Sequence, residues 1–415
     1  MGNTLLERAY QIIDETKKIG IGHLATNSMQ NGLKKAINIH GQKVVPFSLS
    51  DYLMLMHDER IIAGAIESIK ENGFNLSISR EFLHLRKTDE AEEILAKVFG
   101  NPVVLYPKTT LAHVGALPLL IDRKDAVVFD HHVHATIQMA SDMVRVHGTH
   151  MEIIRHNNME QLEQRIIELR KDHNKVWYLA DGVYSMYGDV FPAKEIEALL
   201  NKYEEFYVYV DDAHGISWAG PNGSGYVLSQ IRQHPKMILA VSFGKGFGVG
   251  GGAIVCPDEH TKKLLVYLSG PLMFTGPLES TTLGGLVASS KIHLSPEIVV
   301  LQNRLKALID YFYDRCDELG LPLVNTIRTP TAYFPMGKPE NIYISGKIFF
   351  NENFSVTAGL YPAVPIKNAG LRVQITLYQD KSDVERLLQI MKKVYDLFKK
   401  EQNFSIEDTL KHFKG

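Results

Sequence analysis

The sequence predicts an α/β protein whose large domain is built on a mostly parallel β-sheet and whose C-terminal part forms a smaller α/β domain. Short apolar segments alternate with amphipathic helical stretches through the middle of the chain, and strands separated by helices usually lie parallel in one sheet. Near residue 295 the pattern changes to a long amphipathic helix followed by two more strand candidates and a terminal helix. We therefore expect an N-terminal segment over residues 1–50, a large domain over 51–293 and a small domain over 294–415.

The elements that precede the sheet are helices. The first is predicted over Leu5–Ile19, and two more are predicted over Ile61–Lys70 and Asp89–Phe99, where apolar residues recur on one helical face. Each strand of the expected sheet is a short apolar run bounded by turn residues or by a helix. The seven strand candidates are Val103–Leu105, Ala126–Phe129, Met151–Ile154, Val176–Leu179, Tyr207–Val210, Leu239–Phe243 and Gly252–Val255.

Helix signals are clear between the strands and in the C-terminal part. Met159–Arg170 has apolar residues at helical spacing and follows two asparagines that can cap it. A long helix over Glu297–Leu319 opens the small domain, and the last helix is predicted to begin at a capping box of Ser382 and Glu385. The strands predicted between those two helices are Thr331–Phe334 and Leu371–Thr376.

Composition and charge exclude several classes of function. The 45 Lys and Arg residues against 47 Asp and Glu residues give a formal net charge of −2, so no basic field for nucleic acid exists. No apolar run approaches the roughly 18 residues of a membrane span, and the N-terminus shows no secretory signal. Cys256 and Cys316 provide neither a disulfide framework nor a zinc site. We therefore expect a cytoplasmic enzyme that needs no metal.

Chemically useful side chains follow four of the predicted strands, at the point where each strand ends. These stretches are Asp130–His134, Asp181–Ser185, Asp211–Gly215 and Gly244–Gly248. Because the carboxyl ends of parallel strands meet at one edge of the sheet, ligand sites form there. We therefore expect an acid, a histidine and a lysine from different strands to converge on one site.

Two other interpretations of these stretches are less favoured. Gly246–Gly251 matches the dinucleotide fingerprint G-x-G-x-x-G, but that motif must open a helix, and the segment that follows is a predicted strand. His131, His132 and His134 suggest a metal site, but on a strand only the last two share a face, and no second ligand cluster has suitable spacing. We expect neither a dinucleotide nor a metal.

The converging side chains suit pyridoxal phosphate. Lys245 has glycine on both sides, which gives a backbone freedom that a solvated surface lysine does not need. The cofactor requires a lysine amine for a Schiff base, a carboxylate near the pyridine nitrogen, a flat side chain over the ring and donors for the phosphate. Asp211 can supply that carboxylate, and an ionised aspartate raises the pKa of the pyridine nitrogen, which makes the ring a stronger electron sink. Thr109 and Thr110 supply a hydroxyl-rich loop for the phosphate.

Four blocks of sequence resemble the α-oxoamine synthases, a branch of the fold-type I pyridoxal-phosphate enzymes. The blocks are Asp181–Asp189, Val210–Gly215, Ser242–Gly248 and Leu371–Thr376, and their order and spacing match together. The resemblance extends from about Leu49 to the last helix and implies a fold-type I transferase with a seven-stranded sheet and an active site at a homodimer interface. It implies that the enzyme condenses an amino acid with an acyl thioester, from coenzyme A or acyl carrier protein, with decarboxylation to an α-amino ketone.

The resemblance also implies roles for individual residues. The expected catalytic residues are Lys245, which would hold the cofactor and move protons at the substrate α-carbon, Asp211 at the pyridine nitrogen, and His134 stacked on the ring. Arg372 would bind the substrate carboxylate, as a planar guanidinium can through two parallel hydrogen bonds. The other implied cofactor contacts are Ser185 and His214 at the phenolic oxygen, Thr109, Thr110 and Ser242 at the phosphate, and Thr275 from the partner subunit.

Departures from the family pattern concern the substrate. Lys108 and His113 lie in the phosphate loop, where His113 replaces the asparagine usual in relatives, and both bring potential positive charge to the site. These two residues are candidates to bind the substrate, which motivates the hypothesis of an amino acid with an additional anionic group, such as cysteate. Contact with the cofactor phosphate or with solvent is the favoured interpretation for both, and glycine, alanine, serine and threonine stay open as substrates. Leu377–Gln379 replaces the Ala-Ala-His of relatives, and Gly73–Arg80 lacks their glycine-rich run.

Acyl transfer is the expected reaction, with two alternatives. The same fold supports aminotransferases and aldol-type lyases, so the fold alone does not decide the reaction. The pairing of Asp211 with His214, together with the block Ser185–Asp189, favours acyl transfer. A non-catalytic subunit that binds the cofactor is the second alternative, and the presence of Lys245 in its full sequence context argues against it.

Overall fold

The computed structural model describes residues 4–28, 36–39, 41–402 and 404–413 of the chain. The strands in these residues are β1 (Thr26–Ser28), β2 (Ile37–Ile39), β3 (Gln42–Pro46), β4 (Val103–Tyr106), β5 (Ala126–Asp130), β6 (His150–Ile154), β7 (Val176–Asp181), β8 (Phe206–Asp211), β9 (Met237–Ser242), β10 (Gly252–Val255), β11 (Thr331–Gly337), β12 (Phe354–Ser355), β13 (Thr357–Gly359) and β14 (Ala369–Gln374).

The α-helices of the described residues lie before, between and after these strands. They are α1 (Leu5–Lys18), α2 (Glu59–Asn72), α3 (Arg86–Phe99), α4 (Thr109–Leu120), α5 (Ala135–Arg145), α6 (Met159–Leu169), α7 (Ala193–Lys202), α8 (Tyr226–Gln230), α9 (Glu259–Leu268), α10 (Gly270–Phe274), α11 (Ser280–His293), α12 (Glu297–Leu319), α13 (Pro339–Asn351), α14 (Lys381–Gln402) and α15 (Ile406–Lys411). Among the residues that the structure describes, no helix combines the length and apolar character needed to cross a membrane.

The chain divides into two compact units. The large unit comprises residues 53–184 and 190–302, and the small unit comprises residues 1–52, 185–189 and 303–415. The expected N-terminal segment over residues 1–50 thus belongs to the small unit, where β3 pairs in parallel with β12. The expected boundary at residue 293 lies at the end of α11, whereas the observed boundary lies within α12.

The large unit is built on the predicted sheet. In the described residues its seven strands lie in the order β4-β10-β9-β8-β7-β5-β6, and β10 alone is antiparallel to its neighbours. Residues in β4, β7 and β10 are buried throughout, as in a sheet covered on both faces. Alternate residues pack into two separate apolar clusters, so that Val103 and Leu105 face one cluster and Val104 and Tyr106 face the other. The prediction of a mostly parallel α/β sheet is confirmed.

The small unit contains two smaller sheets and the long helices α12 and α14. Its sheets have the strand orders β1-β2-β3-β12 and β11-β14-β13. Helix α12 has the bounds predicted from the sequence. The strand predicted over Leu371–Thr376 is observed as β14, which begins two residues earlier and pairs antiparallel with β11 and β13.

The capping box predicted for the last helix is wrong. Asp380, and not Ser382, accepts the first backbone hydrogen bonds of α14, from the N–H groups of Ser382 at 2.9 Å and Asp383 at 3.1 Å. The Asp383 carboxylate accepts from the backbone N–H of Asp380 at 3.1 Å, which completes a reciprocal cap ahead of the predicted position. Glu385 lies within the helix and pairs with Arg315 of α12 at 2.8 Å.

Candidate active site

A cavity of about 310 Å³ lies in the large unit and is lined by residues that follow the carboxyl ends of β5, β7, β8 and β9. It brings together eight of the residues predicted from the sequence and four for which no role was predicted. The lining residues are Lys108, Thr109, Thr110, His134, Thr136, Asp181, Val183, Asp211, Ala213, His214, Ser242 and Lys245. The expected convergence of an acid, a histidine and a lysine is therefore observed.

Asp211 is a buried carboxylate at the last residue of β8. Its Oδ1 accepts a hydrogen bond from the backbone N–H of Ala213 at 3.0 Å, and its Oδ2 lies 3.1 Å from Nε2 of His113. Burial alone raises the pKa of Asp211, but the hydrogen bond and charge of His113 and the nearby Lys245 and His134 outweigh it and lower that pKa to about 2. Asp211 is consequently ionised at neutral pH.

The expectation that His113 binds the substrate is corrected by the structure. The His113 ring is fully buried and is not among the residues that line the cavity. Its Nδ1 lies 2.8 Å from the hydroxyl of Tyr209, so both ring nitrogens contact protein groups. His113 lies one turn inside α4, and at that depth its side chain packs against β8 rather than into the loop that precedes the helix.

His134 follows β5, Asp181 ends β7, and both residues line the cavity. The side chain of His134 caps α5, where its Nδ1 accepts a hydrogen bond from the backbone N–H of Thr136 at 3.3 Å. Burial lowers the pKa of His134, the charge of Asp211 acts in the opposite direction and the charge of Lys245 adds to the lowering, so the ring is neutral at neutral pH. Asp181 accepts a hydrogen bond from the backbone N–H of His134 at 3.0 Å. Burial and the neighbouring Asp211 raise the pKa of Asp181 well above its usual value.

The other two histidines that follow β5, His131 and His132, do not line the cavity with His134. The strand ends at Asp130, so His132 lies in a turn rather than on a strand face. The His132 ring stacks on His156 with ring centroids 4.1 Å apart, and Nδ1 of His156 donates a hydrogen bond to the Asp130 carboxylate at 2.8 Å. His132 is thus held in a packed aromatic contact, whereas His134 lines the cavity.

The start of α4 lines part of the cavity. Lys108 is the N-cap residue and makes no side-chain cap hydrogen bond, so the first N–H groups of the helix are not capped by its side chain. Thr109 donates its hydroxyl hydrogen to the Val241 carbonyl at 3.1 Å, which ties the helix start to β9. A Cβ on Gly252 would overlap the Thr109 backbone, so only glycine allows this close approach. Exposed N–H groups at a helix start favour a phosphate or another anion.

A set of buried side chains fixes the loop that carries Lys245. Ser217 and Ser289 donate hydroxyl hydrogens to the carbonyls of Gly246 and Phe247, each at 2.8 Å. His293 of α11 lies between them, with Nε2 2.9 Å from the Ser217 Oγ and Nδ1 2.8 Å from the Ser289 carbonyl. We call Ser217, Ser289 and His293 the loop clamp. Sequence reasoning missed it, because serine and histidine far along the chain carry no local pattern that points to the lysine.

Arg372 and Ser185 belong to the small unit and contact each other. Arg372 Nη1 donates to the backbone carbonyl of Ser185 at 2.9 Å. The Nε of Arg372 is buried and has no hydrogen-bond partner among the described residues. Burial lowers the pKa of Arg372, and the phenols of Tyr52 and Tyr333 act in the opposite direction. The small unit therefore holds a guanidinium that is incompletely satisfied.

Thr275 and the departures at residues 377–379 are also located by the structure. Thr275 follows α10, is exposed and donates its hydroxyl hydrogen to the Pro271 carbonyl at 2.6 Å.

Tyr378 is buried and donates to the carboxylate of Asp51 at 3.0 Å, and the side chain of Gln379 accepts from the Thr376 N–H at 2.7 Å. These departures therefore bind the N-terminal and C-terminal parts of the small unit together.

Comparisons with known proteins agree with the fold. The family described as aminotransferase class I and II matches residues 42–390, well over half of the chain. The 8-amino-7-oxononanoate synthase of Petrotoga mobilis is 28% identical over 394 residues, which cover 92% of this chain and 97% of that protein. A serine palmitoyltransferase from S. paucimobilis, solved with PLP and myriocin, aligns with a TM-score of 0.84 at 21% identity over 94% of this chain and 98% of that one.

A second solved structure is that of the 8-amino-7-oxononanoate synthase from Francisella tularensis, with a TM-score of 0.72 at 20% identity over 85% of this chain and 98% of that one. The structural matches confirm the fold-type I architecture predicted from the alternating strands and helices. The family match and the curated relatives confirm the resemblance drawn from the four sequence blocks. The chain belongs to the aminotransferase class I and II family and is a pyridoxal-phosphate-dependent enzyme of the α-oxoamine synthase type.

Proposed function

We propose that this enzyme condenses an amino acid with an acyl thioester. One proton is taken up, carbon dioxide and the free thiol leave, and an α-amino ketone is formed. The observation that carries the proposal is that one cavity holds Lys245 beside an ionised Asp211 and a neutral His134. The curated relatives of the chain, which are 8-amino-7-oxononanoate synthases, support the choice of reaction.

The donor set of the cavity fits pyridoxal phosphate. The N–H groups at the start of α4, with Thr109, Thr110 and Ser242 nearby, suit a phosphate, and the buried Asp211 carboxylate suits a protonated pyridine nitrogen. When bound, the cofactor supplies an electron sink for negative charge that develops at the substrate α-carbon. His214 and Ser185 are each proposed to contact the phenolic oxygen, as the family resemblance implies.

The residues of the chain supply the rest of the chemistry. Lys245 is proposed to take the proton from the α-carbon and to return it after the carboxylate has left. The neutral His134 presents a flat ring that can pack on a planar ligand without adding a second positive charge near Lys245. Asp211 stays ionised because its pKa is about 2, so it can hold a proton on a nitrogen base over the whole physiological pH range.

Arg372 is proposed to bind the carboxylate of the amino acid. We expect Arg372→Gln to raise KM for the amino acid by roughly 10- to 100-fold, because charge-assisted hydrogen bonds contribute about 1.5–3 kcal/mol. Steady-state kinetics against the amino acid measure this change. Arg315→Gln is the matched control, because the Arg315 guanidinium already pairs with Glu385 at 2.8 Å. An unchanged KM in the Arg372 variant would remove this residue from the carboxylate site.

A homodimer is proposed from the apolar surface that surrounds Thr275. Phe74, Phe82, Leu83 and Phe274 are exposed by 71%, 74%, 56% and 81%, which is unusual for side chains of this size. The segments that carry them lie together, because the Ser280 N–H donates to the Phe74 carbonyl at 2.9 Å. In addition, Arg80 and His84, which flank Phe82 and Leu83, line one crevice with Leu272 and Gly276, which flank Phe274. A second copy of the chain is the proposed occupant, with Thr275 reaching the cofactor phosphate of its partner.

We expect Phe274→Asp to convert the dimer to a monomer, because a charge would be buried in an apolar contact. Sedimentation velocity over a range of protein concentrations measures the change. Val146→Asp is the matched control, since Val146 is 82% exposed at the end of α5 and outside the proposed surface. A wild-type protein that sediments as a monomer at all concentrations would contradict the proposal.

The reaction is tested with a panel of amino acids. Protein loaded with pyridoxal phosphate is incubated with glycine, alanine, serine, threonine or cysteate, each with and without acyl-CoA, while free thiol and carbon dioxide are measured. Release of both products only when amino acid and thioester are present together supports the proposal. Formation of a keto acid without thioester would indicate an aminotransferase instead and would overturn it.

The same panel addresses Lys108, which lines the cavity at the start of α4. Lys108 is proposed to contact an anionic group on the substrate. The attraction between the Lys108 ammonium and the sulfonate is expected to make cysteate a better substrate than alanine. Lys108→Ala is expected to abolish that preference. Equal turnover of alanine and cysteate by the wild-type enzyme would remove the anionic-substrate proposal.

A further inference from the structure

His113 contacts Asp211 from behind the cavity. Its buried ring places Nε2 3.1 Å from Asp211 Oδ2 and Nδ1 2.8 Å from the hydroxyl of Tyr209. Tyr209 precedes Asp211 by two residues on β8 and is fully buried, so the two side chains leave the strand on the same face. Tyr209, His113 and Asp211 form a continuous hydrogen-bonded chain that ends at the carboxylate in the cavity.

The direction of the bond between His113 and Asp211 follows from the chemistry of the two groups. An ionised carboxylate can only accept hydrogen bonds, so Nε2 of His113 carries a hydrogen and donates it. The backbone N–H of Ala213 donates to the other oxygen at 3.0 Å. Each carboxylate oxygen thus has a fixed protein donor and keeps lone pairs that can accept from a ligand in the cavity.

Tyr209 completes the chain at its inner end. Burial, followed by the negative charge of Asp211, raises the pKa of Tyr209 well above its usual value, so its hydroxyl keeps its hydrogen at neutral pH. That hydroxyl can donate to Nδ1 of His113 or accept from it. The ring of His113 is therefore held at both nitrogens in the orientation that points Nε2 at Asp211.

We propose that His113 is a positioning residue that keeps Asp211 ionised and correctly oriented, so that Asp211 can hold a proton on the ring nitrogen of bound pyridoxal phosphate. The inference rests on the proposed cofactor site. Without the donor on His113, burial would favour the protonated carboxyl, and Asp211 would compete with the ring nitrogen for the proton. The other titratable groups that face Asp211 are Lys245, His134, Asp181 and Asp212.

The test is nitrogen-15 NMR of the enzyme loaded with pyridoxal phosphate labelled at the ring nitrogen. The chemical shift of that nitrogen reports its protonation directly, so the readout does not depend on turnover. We expect His113→Leu to lower the pH midpoint of ring-nitrogen deprotonation by about one unit or more, because a hydrogen-bond donor to the charged form is lost. His113→Gln is expected to bring the pH midpoint most of the way back to the wild-type value, since the glutamine side chain can place an amide N–H near the position of Nε2.

Two further variants keep the test decisive. Tyr209→Phe is expected to change the pH midpoint less than His113→Leu does, because the Nε2 donor of His113 remains. If His113→Leu does not fold, His113→Gln is compared with His113→Asn, whose shorter amide does not reach Asp211. A midpoint that is the same in wild type and His113→Leu, or the same in the Gln and Asn variants, overturns the inference. Failure of the proposed cofactor site looks different, because the wild-type protein would then retain no labelled cofactor.

Discussion

Lys245→Ala is expected to lower turnover by about 10⁴-fold, the upper end of what a single acid–base group contributes. Lys245 lines the same cavity as Asp211 and His134, and among the described residues that line it Lys108 is the one other lysine. The variant is expected to bind pyridoxal phosphate still, because Asp211 and the groups proposed for the phosphate at the start of α4 are unchanged, but the cofactor should wash out on dialysis. Release of thiol from acyl-CoA measures turnover, and absorbance before and after dialysis measures binding.

Two comparisons make the Lys245 result interpretable. Lys263→Ala removes an exposed lysine of α9 and is expected to leave both turnover and cofactor retention as in the wild type. After reduction with borohydride and proteolysis, the cofactor should be attached to the peptide with Lys245 in the wild type and to no peptide in the variant. Product formation by Lys245→Ala at the wild-type rate would show that another group moves the α-proton.

Asp211→Asn is expected to lower turnover by about 10²–10³-fold, the range found when one preorganised electrostatic group is removed. The neighbouring Asp212 offers a matched control that changes the same functional group. Burial raises the pKa of Asp212 to about 8, so its carboxyl is mostly protonated at neutral pH. The amide in Asp212→Asn therefore resembles the group already present, and little loss of turnover is expected.

The two aspartates differ because of their surroundings. Asp211 accepts from His113 and Ala213 and faces the cavity. Asp212 accepts from the Val227 N–H at 3.0 Å and is packed so closely by backbone that a Cβ on Gly182 or Gly215 would overlap its carboxyl. Turnover measured for both variants at pH 7 shows whether the reaction depends on the charge of Asp211. Equal losses in the two variants would mean that the charge of Asp211 is not what the reaction uses.

The sequence predicted those parts of the molecule that depend on local patterns. Most strands of the large sheet are short, mainly apolar runs, and the polar residues at and after the ends of β5, β7, β8 and β9 meet because parallel strands share one edge. Lys245, Asp211 and His134 could be placed in one cavity on that basis. Thr275 and Ser185 stay predictions, because their proposed contacts involve a second copy of the chain or the other unit.

What could not be predicted depends on contacts between distant segments. His113 was expected to bind the substrate because it lies in the phosphate-loop motif and brings potential positive charge, but its position in α4 turns it toward β8. Three bonds of the loop clamp join residues far apart along the chain: Ser217 to Gly246 across 29 positions, Ser289 to Phe247 across 42 and Ser217 to His293 across 76. The N-terminal segment belongs to the small unit, where β3 pairs in parallel with β12. The sequence of neither strand indicates which strand it pairs with.

The loop clamp has a consequence for the time course of catalysis. Because the carbonyls of Gly246 and Phe247 are each held by a serine hydroxyl at 2.8 Å, the backbone on the C-terminal side of Lys245 is fixed. The amine can then change its position only by rotation about the bonds of its own side chain, which takes picoseconds to nanoseconds, whereas loop motions take nanoseconds to microseconds. Movement of this loop is therefore not expected to limit the rate, and the slow event in each cycle should lie in bond making or in product release.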